Sequence, residues 1–257
     1  MEIIIISAAA FFLAILTFFS GFGLGTLLTP VFMIFFPVEL AICLTGLVHF
    51  FNNIFKFILV WKNINKSVFI RFGIPSIIGA FFGSWLLINI SDIQALFDYE
   101  LFGKTFEVHP VKFIISILLL IFVCFELIPQ LSKIQFGKDK LFFGGVLSGF
   151  FGGLSGIQGA LRSFFLINSG LSKEAFIATT VAISTFVDIT RLSIYVKKIN
   201  ETELSVNLPL IACATLSAII GAYIGIKLLQ KVTISFLHKT VTFMLIILSL
   251  ALAAGLV

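Results

Sequence analysis

Charge is the scarcest thing in this sequence: Asp, Glu, Lys and Arg make up 11% of its 257 residues, where an ordinary soluble domain carries about 25%. Water does not solvate a chain that poor in charge and 60% hydrophobic. A soluble globular domain is thereby excluded, and the lipid bilayer becomes the expected solvent and partner. Cysteine is scarce as well. Cys43, Cys124 and Cys213 lie far apart in apolar runs with no CxxC pair or Cys/His cluster, so no disulfide framework or metal site is expected, only buried structural thiols. No basic face interleaves with aromatics, so the net charge of +5 is no nucleic-acid footprint. Neither nucleic acid nor a cofactor is expected. The opening MEIIIISAAAFFLAILTFFSG has no positive n-region and no clear cleavage site, and reads as a retained span rather than a signal peptide.

What the chain has is apolar length, with a mean hydropathy of +1.18 and 33 phenylalanines. A membrane-crossing helix needs about 20 mostly apolar residues. Full-length candidates are Val38–Trp61, Phe69–Ile90, Pro110–Pro129, Lys173–Val196, Val206–Leu229 and His238–Leu256. Two further stretches are interrupted: Ile3–Phe36 at SGFGLG (20–25), and Leu141–Asn168 at GGLSGIQG (152–159).

These two stretches open matching halves. An offset of 135 places Ser20-Gly21 on Ser155-Gly156, Glu39 on Glu174, Thr45 on Thr180, Lys62 on Lys197 and Ile64-Asn65 on Ile199-Asn200, with ten identities over the 46 positions 20–65. Farther on, IIGAFFG (77–83) matches IIGAYIG (219–225). The expected fold is an all-α polytopic membrane protein of two internal repeats, each a glycine-broken, re-entrant segment followed by three transmembrane helices. Residues 1–129 form the first repeat, 130–140 a cytoplasmic linker and 141–257 the second repeat.

Lysine and arginine favour cytoplasmic loops. Lys62, Lys66 and Arg71 share one loop, Lys133, Lys138 and Lys140 the linker, and Lys227, Lys231 and Lys239 a third, whereas 91–109 carries four acids. All three basic loops lie inside only if each broken stretch enters and leaves on the same side, which makes the repeats inverted. Parallel repeats, with each stretch crossing once, are the alternative and leave the third basic loop outside. Inverted repeats with broken helices are a recurring transporter architecture.

A broken helix in lipid needs protein or a water-filled cavity to satisfy its freed backbone groups, and the N–H groups opening a half-helix attract anions. The second break offers Ser155, Gly156, Gln158, Gly159, Arg162 and Ser163, and the first Ser20, Gly21, Gly23 and Thr26. Close helix packing is the competing use of such glycines. The helix after each break carries a polar stripe: His49, Asn53 and Lys56 in the first, Ser184, Asp188 and Arg191 in the second. A charge within a span is costly and usually functional. Together these sixteen residues are the candidate contacts of a small anionic substrate. Lys56 and Arg191 have the alternative of snorkelling to an interface. Asp188 stands three residues before Arg191, as a compensating charge or a carrier of a coupling proton, and His49 is a titratable or a structural histidine.

The broken segments, Pro30 after the first, the helix starts AICLTG and ATTVAIS, and the later GAxxG resemble the TauE/SafE family of sulfite and organosulfonate exporters over essentially the whole chain. Gln158 and Thr26 stand near positions where that family carries further glycines. The resemblance implies export of a small sulfur oxyanion across a prokaryotic plasma membrane, with the repeats rocking against one another around a mid-membrane site. Two other readings use the same residues: an anion channel, and a rhomboid-like intramembrane serine protease, because GLSG (153–156) matches its GxSG. For the second, the only later histidine is His238, at the mouth of the last span. No enzyme activity is expected.

Overall fold

The structure, a computed structural model, describes residues 1–20, 24–90, 93–101, 103–128, 137–166, 169–197, 205–228 and 234–256. These are overwhelmingly helical. The elements are α1 (Glu2–Ser20), α2 (Leu24–Met33), α3 (Val38–Val60), α4 (Lys66–Ile90), α5 (Pro110–Leu127), α6 (Leu141–Ser155), α7 (Gly159–Leu166), α8 (Lys173–Tyr195), α9 (Leu208–Leu228) and α10 (Ile234–Ala253). Among the described residues α3, α4, α8 and α9 are long and apolar enough to cross a membrane, while α1, α2, α5, α6 and α10 supply shorter apolar stretches. The expected spans Pro110–Pro129 and His238–Leu256 coincide with helices of 18 and 20 residues, Pro110–Leu127 and Ile234–Ala253. The chain is a membrane protein.

Local chemistry sets the ends. Ser172 caps α8 by accepting from Ala175 N, Asn65 caps α4 by accepting from Val68 N, and Pro110 opens α5, where its missing N–H costs nothing. A π-helical turn at Phe69–Gly73 widens α4 near its start. Helix α6 runs unbroken through Gly152 and Gly153, where the sequence suggests a break, and stops at Gly156, whose φ of 78° is left-handed. Only glycine takes that conformation at little cost, so the sharp stop is written at Gly156 rather than across the whole GGLSGIQG run. The first expected break, at 20–25, falls largely on residues 21–23, outside the described residues.

The all-α expectation holds, with one short piece of sheet beside the helices. The acidic loop 91–109 contains an antiparallel hairpin, β1 (Phe97–Leu101) with β2 (Lys104–Val108), turning at Gly103. It reaches the far end of the chain, where Tyr99 donates its hydroxyl proton to Ala254 O. The expectation of buried thiols does need a correction: Cys43 is buried, but Cys124 and Cys213 lie exposed on helix surfaces. In lipid such positions are apolar contacts and need no core.

Helices pair across the two halves. The most extensive contacts are α4 with α6 and α1 with α9, followed by α3 with α8 and α5 with α10. Glycine makes the α4–α6 seam. A Cβ added at Gly149 would lie 1.9 Å from Ser76 O, one at Gly153 2.3 Å from Ala80 O, and one at Gly83 1.9 Å from Phe150 O. Backbone therefore touches backbone, the close approach that small residues permit in lipid. Gly221 of α9 meets Phe11 O of α1 in the same way, at 2.3 Å. Gly79, Gly83, Gly149, Gly153 and Gly221 are packing residues.

Element ends repeat at the offset read in the sequence. Helices α1 and α6 end at 20 and 155, α2 and α7 begin at 24 and 159, and α3 and α8 span 38–60 and 173–195. Each pair differs by 135.

Candidate functional site

Helices α3 and α8 face each other along their polar stripes, and the segment between α6 and α7 closes over them. Asp188 is the centre. Its Oδ1 accepts from Arg191 Nε at 2.9 Å and from Gln158 Nε2 at 3.2 Å, and lies 2.8 Å from Arg191 Nη2. Its Oδ2 lies 2.7 Å from His49 Nδ1 and accepts from Asn53 Nδ2 at 3.2 Å. A carboxylate acceptor fixes the proton of a neutral His49 on Nδ1. Gln158 also accepts, through Oε1, from Arg162 Nη1 at 3.0 Å. Six of the candidate residues thus form one hydrogen-bonded chain from Arg162 to Asn53.

The chain is sealed. Asp188 and Arg191 have no exposed surface, and His49, Arg162, Gln158 and Asn53 expose at most 4%. Snorkelling of Arg191 is thereby ruled out: it is among the largest fully buried side chains. Lys56, its counterpart at the 135-residue offset, is half-buried. The two differ because Asp188 holds Arg191 one turn away, whereas the position equivalent to Asp188 holds the neutral Asn53.

Not all of Arg191 is used. Its Nη1 makes no hydrogen bond, and its Nη2 has only the ion contact with Asp188. Tyr195, one turn on, interacts electrostatically with the guanidinium and donates its own proton to Gly153 O. Nη1 points to the break: a Cβ at Gly156 would lie 3.1 Å from it and 3.1 Å from Thr29 Oγ1, while one at Gly25 would lie 3.3 Å from Gly156 O and 3.6 Å from the His49 ring. The first turns of α2 therefore touch the break before α7, and the break meets Arg191 at Gly156. Thr26 Oγ1 in the first turn of α2 and Arg162 Nε are also buried without a partner.

Formal charges can be counted. Among the described residues the buried Arg, Lys, Asp and Glu side chains are Arg162, Arg191 and Asp188, two positive against one negative when His49 carries no extra proton. One positive charge stays uncompensated where isolation from water costs several kcal/mol. An anion would offset it.

The remaining candidates are less engaged. Ser155 donates to Phe151 O at 2.8 Å, and its Oγ accepts from Ile157 N at 3.3 Å; the hydroxyl a rhomboid-like nucleophile would need is bonded into its own helix. Ser163 and Ser184 are buried beside the chain's members on α7 and α8, and Gly159 is the first residue of α7. Gly21 and Gly23 lie outside the described residues, as do the side chains of Ser20 and His238. Sequence reasoning left Gly25, Gly46 and Tyr195 unassigned. Gly46 leaves room for the guanidinium, since a Cβ there would lie 3.4 Å from Arg191 Cζ. A helical reading of Tyr195 at i+4 from Arg191 was the available signal.

The family model of the sulfite exporter TauE/SafE matches residues 6–252. The chain belongs to this family. Neither a curated protein nor a solved structure matches it. Membership in the TauE/SafE family makes it a membrane transport protein of the sulfite exporter type, and a small anionic substrate follows from that.

Proposed function

We propose that this protein is a secondary transporter that exports a small anion, sulfite or an organosulfonate, by alternating access around the chain that joins Arg162, Gln158, Asp188, His49, Asn53 and Arg191. The observation that carries the reading is the uncompensated buried positive charge, with Arg191 Nη1 unpartnered at the helix break. Helix N-termini add partial positive charge, and α7 begins beside Arg162. On this reading Thr26 and Lys56 line the approach, and Ser20, Gly21 and Gly23 remain candidate contacts of the substrate outside the described side chains. A sealed site favours a carrier over a channel, which needs a continuous path.

The equal 135-residue spacing of element ends and the exchanged pairing of α1 with α9 and α6 with α4 support two repeats related by a pseudo-two-fold axis; the basic loops favour the inverted arrangement. The exchange also alters which parts would rock. The glycine seam fastens α4 to α6, so the moving bodies are α1–α3 with α9 and α6–α8 with α4, meeting along α3 and α8. A proton shared between His49 and Asp188 would couple export to the proton gradient across a plasma membrane.

Flux of labelled sulfite in proteoliposomes tests the reading, with wild type compared against Arg162→Ala and Arg191→Ala at matched reconstitution. Saturable flux, inhibited by organosulfonates and lost in both variants, is expected. Undiminished flux in both variants would remove this chain from the transport path.

A further inference from the structure

Asp188 does more than hold Arg191 in place. Both of its oxygens are occupied, Oδ1 by Arg191 and Gln158 and Oδ2 by His49 and Asn53, and it is the one carboxylate among the buried charges of the described residues. It cancels one of the two arginines. Arg162 and Arg191 without it would present two positive charges to a ligand; with it they present one. In a site closed to water, a ligand charge that overshoots the protein's leaves a buried excess, which costs far more than at a surface.

We infer that Asp188 sets the charge of the transported species at one: the site takes singly charged oxyanions, such as hydrogen sulfite or an organosulfonate, and rejects dianions such as sulfate. This rests on the transport reading above and adds to it the residue that determines charge selectivity. The geometry also says where the single charge sits. It lies on the Nη1 side of Arg191, beside Gly156, where backbone without a Cβ comes close to Nη1 and Thr29 Oγ1 and a ligand enters only as these parts separate. Arg162, tied through Gln158 to the other side of Asp188, supplies the second charge of the count.

The remaining titratable groups around this point are few. From α3, His49 faces Asp188 directly, and the half-buried Lys56 acts on His49 from farther along the same helix. From α8, Arg191 and Tyr195 face it, and Gln158 and Arg162 enter from the break and α7. From α2 the neighbours of His49 and Gly156 are Gly25 and Thr29, without charge. Lys56 is common to every variant below; His49 loses its carboxylate partner in Asp188→Asn but keeps it in Gln158→Glu, which therefore reads the count with the His49–Asp188 contact intact.

The experiment measures initial uptake of labelled methanesulfonate, a monoanion, and labelled sulfate, a dianion, into proteoliposomes at one pH. Wild type is expected to carry methanesulfonate and exclude sulfate. Asp188→Asn raises the count to two and should shift the ratio of the two rates toward sulfate by about tenfold or more. Asp188→Asn combined with Arg162→Gln brings the count back to one and should restore much of the original ratio. Gln158→Glu lowers the count to zero with the helices untouched, and should cut methanesulfonate uptake by about tenfold without admitting sulfate; it decides the matter if Asp188→Asn fails to fold. Wild type that carries sulfate as readily as methanesulfonate, or variants that leave the ratio unchanged, would overturn the inference and leave the transport reading intact. Wild type that moves neither these anions nor sulfite would overturn both.

Discussion

Asn53 donates its side-chain amide to Asp188 Oδ2 at 3.2 Å, and the two residues are 135 positions apart, the same interval that relates the ends of α3 and α8. Positions one such interval apart therefore touch, as the proposed pseudo-two-fold relation of the halves would have them do. The contact is unequal: an amide faces a carboxylate. Asn53 in place of a second carboxylate leaves Asp188 alone against Arg162 and Arg191.

Arg191→Lys keeps that charge and removes the fork. A lysine ammonium cannot both pair with Asp188 and reach the break as Nη1 does. Sulfite flux is expected to fall by about ten- to a hundredfold, measured in liposomes at matched protein. Full flux in the lysine variant would mean that charge alone suffices.

The α4–α6 seam has no room for a methyl group. Gly149→Ala puts a Cβ 1.9 Å from Ser76 O, and the helices must separate to take it. A loss of about 1–3 kcal/mol is expected from such overpacking, seen as a lower Tm in detergent. An unchanged Tm would show the seam to be loose.

Cross-linking discriminates between two kinds of moving body. Ile78 and Leu147 are exposed and flank the contact of Gly79 with Val146 O. Cysteines at these two positions, in a background without Cys43, Cys124 and Cys213, should accept a short cross-linker and keep full sulfite flux, because α4 and α6 travel together. Arrest of transport by this link would return the motion to the two halves of the sequence.

Tyr99→Phe removes the hydroxyl that joins the hairpin to Ala254 O. Stability is expected to drop by about 1 kcal/mol, the usual net value of one hydrogen bond, with sulfite flux unaltered. Thermal unfolding and flux on the same preparation check both halves of the statement.

Much of this was legible in the sequence, and the rest had physical reasons to be hidden. Val38–Trp61 and Lys173–Val196 were bounded to within a residue or so, because Pro37 and Ser172 are strong start signals and the apolar run ends where lysines begin. Stripe periodicity placed His49 and Asn53 on one face. What periodicity cannot give is depth: Lys56 and Arg191 occupy equivalent positions, and only the contact with Asp188 makes one a fully buried side chain. The break was drawn too wide because glycines that pack a helix and a glycine that ends one read alike in sequence; the positive φ of Gly156 separates them. The hairpin was missed because FDYELFGKTFEV is a short strand pair in a loop expected only to be acidic.

The pairing of α1 with α9 bears on how the protein is made. Helix α1 has its main partner in α9, far later in the chain, and α4 likewise waits for α6. During synthesis α1 and α4 must therefore sit in lipid with their glycine-lined or small-residue faces uncovered, held only by their own hydrophobicity, until the partner emerges: 210 residues separate Phe11 from Gly221, and 73 separate Ser76 from Gly149. Assembly is late and close to all-or-none. A chain cut short after α8 would retain its arginines and its carboxylate and still lack the neighbour that fixes its first helix.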